Sequence, residues 1–325
     1  MCITVCVYLL VIISGGSVGD KDHAISTEVT GKINVTAGEG NDDQIHISAK
    51  GDLNYDVMKG GESIGFTALG GIYKGTSVLK AESIILNALG GSLGSKENPI
   101  ITDTAHLSGM AMDGDINLEN LRSVEIDNLN TDRTANLKVN GNITATPKVE
   151  GQSNISAKKL VISANGNVGD NVNPLSVNTD NLTIAGRNIS IQAIKDVMID
   201  KITGNNIQIS GDGNITGNPE TKGNHIIGNS LTMKTFGKIG EPLRVNVATV
   251  NISTDYGTIN IKNSYQPYKD TFGHGSPEVE EEEDVEEALG IIPKTGDSSA
   301  YELYLMWMAL MVMALVILRK KRKVN

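Results

Sequence analysis

The sequence predicts an all-β chain: a right-handed parallel β-helix, or solenoid, of short repeats, followed by a disordered acidic linker and one C-terminal transmembrane helix. Three observations predict it. Short aliphatic stretches alternate with polar residues behind turn glycines throughout residues 20–268. Aromatic residues are scarce, with 3 Phe, 8 Tyr and 1 Trp, and none lies between Lys74 and Thr235. A glycine motif recurs at a long and nearly constant spacing.

The alternation sets the element type. Gly31-Lys32-Ile33-Asn34-Val35, Gly114-Asp115-Ile116-Asn117-Leu118, Gly204-Asn205-Asn206-Ile207-Gln208-Ile209 and Gly257-Thr258-Ile259-Asn260-Ile261 each place an aliphatic residue at every second position. Period 2 is the signature of a half-buried strand. No helical stretch long enough for a βαβ crossover separates these units. The 36 Gly and 31 Asn suit tight corners, because both residues accept φ > 0 at low cost.

The long repeat sets the architecture. Gly16-Ser17-Val18-Gly19-Asp20 recurs as Gly91-Ser92-Leu93-Gly94-Ser95, Gly166-Asn167-Val168-Gly169-Asp170 and Gly237-Lys238-Ile239-Gly240-Glu241. The second glycines, Gly19, Gly94, Gly169 and Gly240, are spaced by 75, 75 and 71 residues. Pro99-Ile100, Pro174-Leu175 and Pro242-Leu243 follow three copies, and Ala24-Ile25 follows the first. Many short strands at regular spacing fit either a sandwich array or a stacked solenoid. A sandwich would fill the space between its sheets with aromatic rings, whereas a solenoid encloses a narrow stack of aliphatic side chains. At about three coils per long period the body would hold roughly ten coils and extend roughly 50 Å. The G-x-V-G motif with its following Pro-aliphatic pair is similar to the filamentous-haemagglutinin-like repeats of large bacterial adhesins.

Four segments result: an apolar N-terminal segment (1–19), the repeat region (20–268), an acidic linker (269–290) and a C-terminal signal (291–325). Val5 to Ile13 reads in two ways. No Lys or Arg precedes Lys21, so the basic region of a signal peptide is missing, and the segment aligns with the strand before the other glycine motifs. The chain then begins inside a repeat of a longer protein. The other reading is an atypical signal peptide cleaved after the small residues Ser14 to Gly16.

The formal charge is −10. Eight acids lie between Glu278 and Glu287 and five bases between Arg319 and Lys323; without them 30 acids face 23 bases. That body carries no basic footprint, so no nucleic-acid partner is expected. Cys2 and Cys6 are the two cysteines, which excludes a disulfide framework or Cys-based zinc site in the body.

Four features follow one another at the C-terminal end. The acidic run Glu278–Glu287 repels itself into an extended chain. Next comes Ile292-Pro293-Lys294-Thr295-Gly296. An apolar run of 16 residues extends from Leu303 to Leu318, including Trp307, Leu310 and Leu315. Arg319-Lys320-Lys321-Arg322-Lys323 closes the series. As a helix the run would span about 24 Å at roughly 1.5 Å per residue, a little short of a bilayer core. The bases would hold its end in the cytoplasm.

This order resembles the cell-wall sorting signal of Gram-positive surface proteins, with Ile292 in place of the Leu of L-P-x-T-G. The resemblance implies sortase and peptidoglycan as partners and a transient stay in the membrane. It also implies cleavage between Thr295 and Gly296, with Thr295 joined covalently to peptidoglycan at the cell surface. A sortase thiolate would attack the Thr295 carbonyl, and a wall amine would resolve the acyl-enzyme. Pro293 favours an extended peptide, and Gly296 removes bulk beside the attacked carbonyl.

The resulting expectation is a non-enzymatic, wall-anchored stalk or adhesin with no cofactor and no metal, whose host ligand the sequence does not name. Two alternatives remain: a wall-anchored carbohydrate-active β-helix enzyme, and a membrane-tethered structural protein that is not processed. For the enzyme, Asp113 and Asp115 are the candidate carboxylate pair, weighed against solvated turn acids. Gly38-Glu39-Gly40-Asn41-Asp42-Asp43 is a single faint match to a calcium-binding turn, and a plain polar turn is expected. His23, His46, His106, His225 and His274 lie far apart and are expected at the surface. Seven N-x-[ST] sequons, at Asn34, Asn142, Asn154, Asn181, Asn188, Asn214 and Asn251, are read as turn asparagines entering strands.

Overall fold

A computed structural model describes residues 2–4, 9–28, 31–37, 42–59, 61–75 and 77–266. Within them every regular element is a strand and every ladder is parallel. The chain winds as a solenoid of about 12 turns. Each turn contributes one strand to each of two facing sheets. One sheet carries Gln44–Ala49, Ser63–Ala68, Ser83–Ala88 and His106–Ala111 in succession. The other carries Ile116–Asn120, Thr134–Val139, the second half of Ile155–Ala164 and the second half of Leu175–Ala185. At roughly 4.8 Å per rung, 12 turns extend about 58 Å, somewhat more than the ten-coil expectation.

Register explains the aliphatic period. Ile45 pairs with Ile64, Ile64 with Ile84, and Ile84 with Leu107. Ile189 pairs with Ile207 and Ile207 with Leu231. Each inward side chain therefore lies directly on its counterpart one coil away, and these columns form one continuous buried core. A one-residue slip would turn every member of a strand outward, so the alternation holds the register. Full burial of an Ile or Leu contributes about 1.5–3 kcal/mol, against about 1–2 kcal/mol for fixing one residue's backbone, so a rung is held by all its inward residues together. The aromatic exception is at the N-terminal end, where Tyr55 and Phe66 face each other with ring centroids 5.9 Å apart.

The glycine motif has a structural meaning that the sequence alone leaves hidden. Val18 and Ile25 pair with Ile45 and Ile47, so seven positions on one rung match two on the next. Leu93 and Ile100 against Ile116 and Leu118, and Val168 and Leu175 against Ile189 and Ile191, repeat this. Five residues are thus looped out of the strand in each case. In the fourth copy Ile239 and Leu243 pair with Ile259 and Ile261, so only two residues are extra. Each of the three larger tabs is closed by its own side chain. Asp20 Oδ1 accepts from His23 N–H at 2.7 Å, Ser95 Oγ from Asn98 N–H at 3.1 Å, and Asp170 Oδ1 from Asn173 N–H at 2.8 Å.

The long period is three coils and a half, not three. Starting from Val18, three register steps lead to Ile84, and Leu93 lies half a coil further on. The same count leads from Leu93 to Leu160 and on to Val168, and from Val168 to Leu231 and on to Ile239. Successive tabs therefore leave the rod from alternate sheets.

Corner chemistry also departs from the expectation. Among the described residues Glu241 is the one non-glycine with positive φ, so the asparagines do not serve as left-handed corner residues. At the corners Asn142 and Asn214, like several Asp and Ser residues, use their side-chain oxygens as acceptors. The residue before the first inward aliphatic of a strand accepts the N–H of its counterpart one coil on. Asp52 Oδ1 receives Gly71 N–H at 2.7 Å, Ser92 Oγ receives Asp115 N–H at 3.0 Å, and Asn142 Oδ1 receives Asn167 N–H at 2.8 Å. Asp196 Oδ1 receives Asn214 N–H at 2.7 Å, and Asn214 Oδ1 receives Lys238 N–H at 2.9 Å. Corners are where the ladders lapse, and these side chains satisfy the exposed donors.

Gly169 meets two demands at once. Its φ is +66°, and a Cβ there would lie 2.2 Å from the Ser190 carbonyl oxygen of the next coil. Gly151 has a similar φ of +78° with nothing within 4 Å. Gly151→Ala is expected to cost about 1–2 kcal/mol, the strain of a left-handed Ala. Gly169→Ala is expected to exceed it clearly, because the neighbouring coil must also move. Urea denaturation of the two variants, followed by circular dichroism, measures the difference; equal losses would remove the close-approach argument.

Candidate functional site

The sorting motif (Ile292, Pro293, Lys294, Thr295, Gly296), the apolar tail (Leu303, Trp307, Leu310, Leu315, Leu318) and the basic end (Arg319 to Lys323) lie outside the described residues. So do the acidic run, His274 and the first part of the calcium-like segment, residues 38–41. Among the described residues no helix is long and apolar enough to cross a membrane, and no cluster of three or more His, Cys, Asp or Glu could hold a metal ion.

The candidate carboxylates have different roles. Asp113 is exposed at a corner. Asp115 is half-buried and belongs to the corner series: its Oδ1 accepts Thr134 N–H at 3.0 Å, while its own N–H goes to Ser92 Oγ. Its carboxylate is thus engaged in holding one coil to the next. Asp43, in the calcium-like segment, uses its backbone carbonyl to receive Gly61 and Glu62 N–H.

The histidines correct the surface expectation. His23 and His106 are exposed, beside Asp20 and Glu125. His46 is 8 % exposed and lies over Gly65, where the missing side chain makes room for the imidazole; its Nε2 is 3.0 Å from Ser63 Oγ. His225 is fully buried at the end of the 218–225 loop. Its Nδ1 accepts Arg244 N–H at 3.0 Å, and its Nε2 donates to the Asn218 carbonyl at 2.9 Å. The Arg244 guanidinium lies 3.1 Å from Nε2 and also donates to the Gly223 and Thr221 carbonyls. Gly217 leaves space for the ring. In the sequence this site is marked only by Gly217, a polar insertion and a His just before the aliphatic pair Ile226-Ile227.

Burial is the largest cause holding the His225 imidazole below the ordinary histidine range, with the Arg244 charge adding to it, while the Asn218 carbonyl and Asp200 pull the other way. For His46 burial again lowers the pKa, opposed by Asp20 and Glu62. A depressed histidine binds its proton more readily when unfolded. Stability is therefore fully present above the unfolded pKa of about 6.5 and lost as pH falls toward the folded value. The wild-type chain is expected to lose stability between pH 7 and pH 5, and H46Q/H225Q to show a flatter profile. Chemical denaturation across that range checks this; parallel profiles would dismiss the two histidines as its source.

The sequon asparagines are also placed. Asn142, Asn188 and Asn214 occupy the corner series, as expected. Asn154 is buried, donating to the Ile126 and Thr146 carbonyls and accepting Ser176 N–H. Asn34, Asn181 and Asn251 lie inside strands instead.

Two depressions flank the third tab, residues 169–174. One, of about 280 Å³, lies between this tab and the 147–152 loop. The other, of about 710 Å³, runs from the tab over Asn188, Ser190, Asn206, Gln208, Ser230 and Thr232. An ordered amide series borders it: Asn188 Nδ2 donates to Asn167 Oδ1, Asn206 Nδ2 to Asn188 Oδ1, and Ser230 Oγ to Asn206 Oδ1. Past the end of these strands Phe236 and Tyr256 stack on adjacent coils, with centroids 6.4 Å apart and planes 18° from parallel. Polar amides and hydroxyls with a nearby ring pair can bind a hydroxyl-rich molecule. No family model matches the chain, no curated protein matches it, and no solved structure matches it.

Proposed function

We propose that this chain is a non-enzymatic, repetitive β-solenoid stalk or adhesin of a Gram-positive cell surface, joined to peptidoglycan through Thr295 after sortase cleavage of the Thr295–Gly296 bond. The observation that carries this reading is the order of parts. A stacked rod precedes an acidic run, then I-P-K-T-G, an apolar run and five bases.

Each part has a physical role in that scheme. Among the described residues successive coils are bonded along both sheets and at several corners, which suits a stiff stalk. In this scheme the like charges of the acidic run would repel one another and favour an extended spacer. The apolar tail and its bases hold the protein at the membrane until the thiolate attacks, and the peptidoglycan amine then replaces the enzyme on the Thr295 carbonyl. Muramidase-released wall fragments are expected to contain Thr295 bonded to a peptidoglycan peptide, detected by mass spectrometry. T295V is expected to move the protein from the wall to the membrane fraction. Wall attachment undiminished in T295V would overturn this scheme; an intact C-terminal tail recovered from membranes would favour the unprocessed tether.

The second reading, a carbohydrate-active enzyme, draws on Asp113 and Asp115. The engagement of the Asp115 carboxylate with Thr134 N–H disfavours it as a free acid or base. Incubation of the purified chain with a panel of polysaccharides is expected to release no reducing ends or unsaturated products. Turnover that disappears in D113A or D115A would establish the enzyme instead.

A further inference from the structure

We propose that the outer face formed by Asn188–Ala193, Asn206–Gly211, the second half of Ile226–Thr235 and the second half of Ile239–Thr254 binds a neutral polysaccharide chain, independently of how the protein is anchored. Four observations converge on this face. The larger depression lies on it, about 710 Å³, overhung by the tab whose Val172 is 86 % exposed. Its outward positions carry amides and hydroxyls, with Lys234 the one charged residue among them, in a chain of net charge −10.

Third, the polar groups divide into two sets. Those nearest the corner bond to one another from coil to coil and hold the rod together. Those further along do not: the side chains of Gln192, Gln208, Thr232, Thr249, Asn251 and Ser253 make no hydrogen bond to a described residue. Free amides and hydroxyls present both donors and acceptors, repeated along the rod axis at rung spacing. Fourth, the stacked Phe236 and Tyr256 stand at the end of this face, 50 % and 88 % exposed. Water-exposed rings on a polar surface offer an apolar platform to the C–H face of a sugar.

The composition selects the ligand class. A protein partner needs a desolvated apolar or Arg-rich centre, which this face lacks. Nucleic acid and sulfated or carboxylated glycans need several cations, and Lys234 stands alone on these outward positions. A neutral, hydroxyl-rich chain needs neither. It exchanges its water for amide and hydroxyl partners over several coils, each contact contributing modestly.

Affinity electrophoresis of the full chain in gels containing hydroxyethylcellulose, galactomannan or xylan, with alginate and heparin as charged comparators, tests this. Retardation by at least one neutral polymer, unchanged on raising salt, is the expected result. Q208A is expected to weaken it by about fivefold, the loss of roughly one hydrogen bond's net contribution, and Y256A by a similar factor through loss of the ring platform. K138A, on the opposite sheet, is expected to leave it unaltered, and thermal melts identify any variant whose fold has changed. T232A serves as a further outward variant if one of these melts early. Failure of every neutral polymer, retardation by alginate or heparin alone, or wild-type retardation in folded Q208A, T232A and Y256A would overturn the proposal. Because wall attachment is read separately through Thr295, the two conclusions fail independently.

Discussion

The vertical stacking of like on like is the constraint from which the rest of the structure follows. Parallel, in-register ladders place each inward residue on its homologue, so an aliphatic column grows only if every coil contributes an aliphatic at that position. Ile45, Ile64, Ile84 and Leu107 form such a column without interruption. The narrow interior excludes large rings over most of its length. Tyr55 and Phe66 mark the one place among the described residues where aromatic side chains enter it. The Tyr55 hydroxyl is buried there without a partner among the described residues, and burial pushes its pKa well above the usual phenol range.

Stacking also organises the polar surface. A side chain at a corner always has its counterpart one coil away, so short acceptors can bridge from coil to coil repeatedly. The same geometry brings opposite charges together across rungs. Lys138 meets Glu119 at 2.8 Å, Lys148 meets Asp127 at 2.8 Å, and Arg122 joins Glu82 at 3.0 Å to Asp103 at 3.2 Å. Exposed pairs of this kind contribute about 0.2–1 kcal/mol each, so they favour register more than overall stability. Energetics of this sort are close to nearest-neighbour, which lets loops be inserted at one rung without disturbing distant ones. The tabs and the 147–152 and 218–225 loops use that freedom, and the two depressions flank one of the tabs.

Much of this was legible in the sequence. Period-2 alternation identified strands, and the missing aromatics separated a solenoid from a sandwich. The aligned G-x-V-G copies marked a true structural repeat, including its first occurrence at Gly16 to Asp20. Less legible was what the motif does. Five looped-out residues between Val168 and Leu175 look, in one dimension, like an ordinary turn between strands. Only the pairing of both residues with a single neighbouring strand shows that one strand is interrupted. The corner positions of Asn142, Asn188 and Asn214 are legible in the sequence, but their physical reason is the side-chain amide and not a tolerance of φ > 0. The burial of His225 is not legible in the sequence, because nothing local to it announces the Arg244 backbone 19 residues away.

By itself the sequence determined the element type, the stacked class and the separation of a repetitive body from its charged and apolar end. Those properties are written in spacing, composition and order along the chain. Tertiary structure alone decided that the long period spans three and a half coils, that successive tabs leave from alternate sheets, and which polar side chains remain free. The reason is that these depend on how many residues each turn consumes, and that number varies from coil to coil with every loop inserted along the way.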